Sequence, residues 1–188
     1  MIGLSAVVQV SHLDLVPVGP LGTAQTEVLV EHLSRRTSAT WRLHPPWSDA
    51  DLPLLEERGQ VDADDLLARL AARAPDDGVL VGVTGHDLGI PLFTFVLGRG
   101  QKGGRAALVS LARLDPRFYG LPPDEGLVNR RAVVEALHEL GHVAGLDHCP
   151  DASCLMSFAN SVERVDVRGT RFCPRCEGRL PRWLCASP

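Results

Sequence analysis

The chain has 188 residues, 45% hydrophobic and 22% charged, with a formal net charge of −4. That length suits one domain, or one domain with a small appendage, and the composition excludes a disordered or fibrous chain while singling out no partner. The start, MIGLSAVVQVSHLDL, has no basic run ahead of its apolar segment, and no stretch reaches the roughly 18 apolar residues of a membrane span, so a cytoplasmic location is expected.

In chain order, residues 2–10 (IGLSAVVQV) are rich in β-branched side chains and stop before a Pro and Gly cluster, which predicts a buried strand. Residues 23–36 set Val28, Leu29 and Leu33 among charges, as on an amphipathic helix. Residues 39–45 (ATWRLHP) read as a second strand, and Asp62 opens an acidic helix start that runs into LLARLAARA. GVLVGV from Gly78, PLFTFVLG from Pro91 and RAALVSLARL from Arg105 supply three more strands, the last two joined by the loop RGQKGG. Gly98 and Gly103 stand at P-loop spacing, but Gly104 and Arg105 occupy the places of the phosphate-binding Lys and Ser or Thr, so the loop is read as a hairpin turn. Asn129 is placed to cap a helix running from near Arg130 to Gly145, with Val133, Leu137, Leu140 and Ala144 as its buried stripe. Alternating strands and helices predict a mixed α/β sheet.

That last helix carries chemistry. His138 and His142 are four residues apart and share a face, with Glu139 beside them; Gly145 can take the left-handed conformation that turns the chain and brings back His148. Three neutral imidazoles suit Zn²⁺ and leave a fourth position open for water, the arrangement of a catalytic site. Zinc lowers the water's pKa toward about 7, Glu139 can take its proton and pass it to a leaving amine, and peptide-bond hydrolysis follows. Histidines without metal are the usual reading of a lone residue, and that reading is hard to sustain for three at this spacing.

All five cysteines lie in the last quarter. Cys149 and Cys154 form one close pair, Cys173 and Cys176 a CxxC, and together they fit a closed structural zinc site, with Cys185 a spare thiol. Disulfides among the four are the lesser alternative, through oxidation after metal loss. Adjacent side chains of an extended segment point to opposite sides, so His148 and Cys149 can each serve a separate ion, which makes two zincs per chain. From Ser157 onward six arginines face three acids; they can offset the charge of a four-cysteine zinc, and nucleic-acid contact is the weaker rival explanation.

Taken together, HELGHVAGLDHC, then PDAS, CLM, sixteen residues and CPRC, the sequence resembles the archaemetzincins, a family of metzincin-type zinc metallopeptidases. The resemblance implies that His138, His142 and His148 are catalytic zinc ligands, Glu139 the general base, Gly145 the turn and Met156 the Met-turn residue beneath the site. It also implies a second zinc on Cys149, Cys154, Cys173 and Cys176. It implies a mixed, mostly parallel five-stranded sheet with two long helices, and a small irregular zinc-bound C-terminal subdomain. The chain is then one domain over residues 1–188, with an upper part to 145 holding the sheet and the active-site helix and a lower Cys-rich part from 146. PLFTFVLG would be the antiparallel edge strand that pairs with an extended peptide.

The expected partners are a peptide or protein substrate, with no membrane, no nucleic acid and a monomeric state. A zinc-stabilised binding module with little turnover is the alternative, and a hydrolase of non-peptide amides shares every site residue. Tyr119, the only tyrosine, could steady an oxyanion, although packing is the favoured role; His12, His32, His44 and His86 are taken as structural or exposed.

Overall fold

A computed structural model describes residues 10–185 apart from positions 20, 51 and 92. The strand expected over residues 2–10 lies outside them, except for Val10. The first described strand is β1, His12–Val18, every residue of which is buried. It reaches Pro17, the first residue of the Pro and Gly cluster, and ends before Gly19. Pro17, which has no N–H, is tolerated near its end.

Helix α1 (Thr23–Ser34) returns the chain to β2 (Thr40–Leu43), which lies parallel to β1. The short strands β3 (Leu54–Leu55) and β4 (Gln60–Asp62) lead into α2 (Ala63–Ala71). Asp62 caps α2: its side chain accepts from the amides of Asp64 and Asp65. β5 (Gly78–Thr84), β6 (Leu88–Ile90), β7 (Phe93–Val96), β8 (Gly98–Gly100) and β9 (Ala106–Ser110) follow in turn. Then come the long α3 (Glu125–Val143) and the short α4 (Val162–Val167) and α5 (Pro174–Glu177).

The main sheet has five strands in the order β2, β1, β5, β9, β8, all parallel except β8, which runs antiparallel to β9. Because successive side chains alternate, the sheet feeds two cores. Leu13, Leu15, Val79, Val81, Ala107 and Val109 pack with α1 and α3, whereas Val16, Val18, Leu80 and Leu108 pack with Leu66 and Leu70 of α2. The result is a layered α/β molecule in which α3 lies across one face of the sheet.

Three expectations need correction. PLFTFVLG is not one strand: β7 belongs to a second sheet of four strands (β3, β4, β6, β7), and β8 alone forms the edge of the main sheet. A register shift between β6 and β7 accompanies the change of sheet. The long helix begins five residues before Arg130, capped by Asp124, whose side chain accepts from the amide of Leu127, so Asn129 lies inside the helix. It ends at Val143, with Ala144 as its C-cap and Gly145 at φ 90° just beyond. No described helix is long and apolar enough to cross a membrane.

Candidate functional site

His138, Glu139 and His142 project from the last turns of α3, and Gly145 turns the chain so that His148 folds back toward them. The ligand atoms of the three imidazoles lie within 4.8 Å of one another. Nδ1 of His138 is 2.9 Å from the Leu155 carbonyl and Nδ1 of His142 is 2.9 Å from the Leu146 carbonyl. A carbonyl can only accept, so in both rings Nδ1 carries the hydrogen and Nε2 presents a lone pair. Nε2 of His142 stands 3.3 Å from Nε2 of His148. Two imidazole nitrogens bound tetrahedrally to one zinc would be about 3.3 Å apart. Burial, reinforced by Arg168, holds the His138 imidazole well below its ordinary range, and burial lowers His142 and His148 as well. All three are therefore kept in the neutral form that a metal needs.

Glu139 is buried, and its carboxyl is held well above the ordinary range, first by burial and then by the neighbouring Glu135. Its position explains an alternation of glycines in β8 that sequence reading assigned to a turn. A Cβ on Gly98 would come within 2.8 Å of Cγ and Oε1 of Glu139, and a Cβ on Gly100 would strike the Glu139 carbonyl. Only glycine lets β8 lie this close to the helix.

Leu97 O accepts from Ser110 N and Ala106 O accepts from Gln101 N. By the alternation of an antiparallel ladder, the N–H and C=O groups of Gly98 and Gly100 then point away from β9 along the open edge. That edge, the three histidines, Glu139 and the segment around Phe158 line a cleft of about 780 Å³. Phe158, 58% exposed, packs edge-on against the His148 ring at 5.1 Å between centroids. Met156 is fully buried under α3, its Sδ against Gly141, where a side chain would collide with it.

The second cluster sits behind the first. The sulfurs of Cys149, Cys154, Cys173 and Cys176 also lie within 4.8 Å of one another, with Cys149 and Cys173 3.8 Å apart. That is far beyond a disulfide bond and close to the roughly 3.8 Å expected between two thiolates on one zinc. The amides of Met156 and Cys173 donate to Cys154 Sγ at 3.4 and 3.3 Å, and Arg175 donates to Cys149 Sγ at 3.2 Å. Burial raises the Cys149 thiol, but the Asp151 amide and Arg175 outweigh it and bring the value down to about 7. Cys185 stands apart, its thiol donating to the Pro181 carbonyl.

Tyr119 is outside the cleft: its hydroxyl donates to the Arg113 carbonyl at 3.1 Å, which agrees with a packing role. Sequence reading missed Gly98, Gly100, Gly141, Glu135 and Arg168. Glu135 carried a faint signal, being one helical turn before Glu139 on a face that would otherwise be apolar.

A mostly parallel sheet crossed by a histidine-bearing helix above an edge-strand cleft defines a protein of the metallopeptidase class. Residues 54–182 match the family model described as Peptidase family M54, and the chain belongs to that family, to which its archaemetzincin relatives point as well. It is 36% identical over 166 residues to the archaemetzincin of Methanocaldococcus jannaschii, spanning 87% of this chain and 90% of that one. With the archaemetzincin of Pyrococcus horikoshii it shares 43% over 107 residues, 57% of each chain. Among solved structures it is similar to archaemetzincin from Archaeoglobus fulgidus (30% identity, TM-score 0.77, 89% of this chain and 99% of that one). It is also similar to a zinc-dependent peptidase from Methanocorpusculum labreanum (25% identity, TM-score 0.82, 90% and 100%).

Proposed function

We propose that the chain is a zinc metallopeptidase that hydrolyses peptide bonds in the cleft beneath β8. The observation that carries this reading is the convergence of three imidazoles, two of them with their Nδ1 hydrogens committed to carbonyls, beside a buried glutamate and an unpaired strand edge. His138, His142 and His148 would hold the ion through Nε2, and the family together with the zinc-dependent peptidase from Methanocorpusculum labreanum favours zinc. When bound, zinc supplies Lewis-acid chemistry, polarising the scissile carbonyl and acidifying the attacking water.

The protein's own groups do the rest. Gly98 and Gly100 offer backbone hydrogen bonds to an extended substrate and hold it along the edge. Glu139 accepts the proton of the attacking water and hands it to the leaving amine; burial and Glu135 raise its carboxyl, which makes the ionised form a stronger proton acceptor. Phe158 and the burial of Glu139 limit water around the reacting bond. Met156 supports the floor of the site by packing against Gly141.

The four cysteines would hold a second, structural zinc, for two per chain, and they anchor the part of the chain from 146 as a lower subdomain beneath the upper one. Metal analysis of the purified chain tests this count: two zincs are expected, and one would remove one of the two sites. The activity test is Glu139→Ala in zinc-loaded protein. Cleavage of a peptide library should fall by about 10²- to 10⁴-fold with zinc retained, whereas unchanged cleavage would remove Glu139 as the base. A zinc-loaded wild type that cuts no peptide would favour the binding-module alternative.

A further inference from the structure

Three cations line the cleft: Arg99, Lys102 and Arg168. Two are spoken for at the surface, Arg99 Nε by Asp64 at 2.8 Å and Lys102 by Asp147 at 2.5 Å. Arg168 differs. It caps the end of α4, its side chain is 1% exposed, and Nη1 donates to Glu135 at 3.0 Å. No acceptor among the described residues meets its Nε, which is buried, or its Nη2.

Nε and Nη2 together form the parallel two-donor edge of a guanidinium, the edge that matches a carboxylate. Elsewhere in this protein that edge is used in this way: Arg113 grips Asp87 with Nε and Nη2 at 2.7 and 2.8 Å, and Arg131 grips Asp166 at 2.7 and 2.6 Å. In Arg168 the same edge is left without a partner, and the residue, its side chain 1% exposed, lines the cleft that holds His138 and Glu139. Glu135, on the opposite corner, holds the guanidinium in place and balances its charge without using the edge. Arg168 lines the same cleft as His138, Glu139 and His148.

We propose that Arg168 is a specificity-determining residue of this cleft, selecting substrates that bring a carboxylate beside the bond to be cut. This rests on the peptidase reading above. An acidic side chain and the carboxyl terminus of a short peptide present the same chemistry, and both can dock on the free edge.

The test uses zinc-loaded full-length protein and matched peptides that differ only by Glu against Gln at each position flanking the cut, each with a free and an amidated C-terminus. A charge-assisted pair predicts that the carboxylate member is cleaved at least about tenfold faster in kcat/KM. Zinc-loaded Glu139→Gln protein, which retains the uncut peptide, should bind that member with a similar preference by calorimetry. Removing Arg168 alone would strand Glu135, so the decisive variant is the double change Glu135→Gln with Arg168→Met, which removes both buried charges. In it the preference should shrink to within about twofold with the zinc content unchanged.

A wild type that cuts Glu and Gln peptides equally and free and amidated peptides equally, or a preference that survives in the double variant, overturns the proposal and leaves the peptidase reading standing. Selective binding of the carboxylate peptide without any cleavage would do the reverse. A preference for free over amidated termini, with Glu and Gln cut alike, assigns the carboxylate to the chain terminus; a preference for Glu over Gln that persists on amidation assigns it to the side chain.

Discussion

Gly98 and Glu139 are 41 positions apart in the chain and meet beside the cleft, and their contact sets a steric limit on the site. A methyl group at Gly98 would press on the Glu139 side chain at 2.8 Å. Gly98→Ala should therefore displace the carboxylate and lower kcat by about tenfold or more, as small misplacements of catalytic groups do, with zinc content unchanged. Steady-state kinetics beside metal analysis would check it, and full activity would mean that the glutamate works from another position. The imidazoles are limited differently: the Leu155 and Leu146 carbonyls, not side chains, orient His138 and His142. Backbone acceptors of this kind cannot be lost by substitution at those leucines, only moved with the loop that carries them.

At the scale of the element, α3 combines two duties that compete. Its apolar stripe must pack on the sheet, yet the buried residues also include Arg131, Glu135, His138 and Glu139. Each buried polar group needs a partner, and here the partners come from the segment after the helix: Asp166 for Arg131, Arg168 for Glu135 and the Leu155 carbonyl for His138. The start of the helix is simpler. Asp124→Ala should cost about 1 kcal/mol of stability through loss of the cap, whereas Asn129→Ala should stay within about 0.5 kcal/mol. Chemical denaturation of the two variants side by side would decide between the caps, since a larger loss at Asn129 would contradict the observed helix start.

For the whole molecule, the metal-free chain should depend on pH in two opposed ways. The folded state holds the His138 imidazole well below 6.5, first through burial, so the unfolded chain takes up a proton that the folded chain refuses. Stability contributed by that residue is present above about pH 6.5 and is lost as the pH falls. Glu139 works in the other direction: burial, then Glu135, raises its carboxyl well above 4.5, and the unfolded chain releases a proton that the folded one keeps. Its contribution is present below about pH 4.5 and is lost as the pH rises through the raised value. Thermal melts of metal-free Glu139→Gln protein across this range should show a gain on the alkaline side and an unchanged acid limb; identical profiles would count against the raised carboxyl. Adding a chelator to zinc-loaded protein should release the cysteine-bearing stretches of the segment from 146 first, because Leu146 and Met156 pack there with the cysteines in a cluster of their own, apart from the main core. Hydrogen exchange would show protection lost there while β1 and β5 keep theirs.

What could be read without coordinates was whatever depends on short spacings. The histidines at 138, 142 and 148, the cysteine pairs and the acidic start of α2 follow from helical periodicity, glycine turns and ligand chemistry, all local in the chain. Element boundaries were less legible. The strand at His12–Val18 carries only two β-branched residues, and its place in the sheet comes from pairing with β2 and β5 rather than from its own composition. PLFTFVLG likewise read as continuous, because nothing in these eight residues announces that the chain leaves one sheet at Val96 and joins another at Gly98. The sequence by itself determined that three imidazoles and four thiols would gather in two groups, since those contacts close over a few residues or a single loop. Only the tertiary structure decided which backbone carbonyls orient the imidazoles, which strand edge faces Glu139 and which arginine enters the cleft with its carboxylate-binding edge free. Apart from the Leu146 carbonyl, four positions from His142, those contacts join residues 17 to 41 positions apart, and their energies exist only once the sheet, α3 and the segment beneath it have packed together.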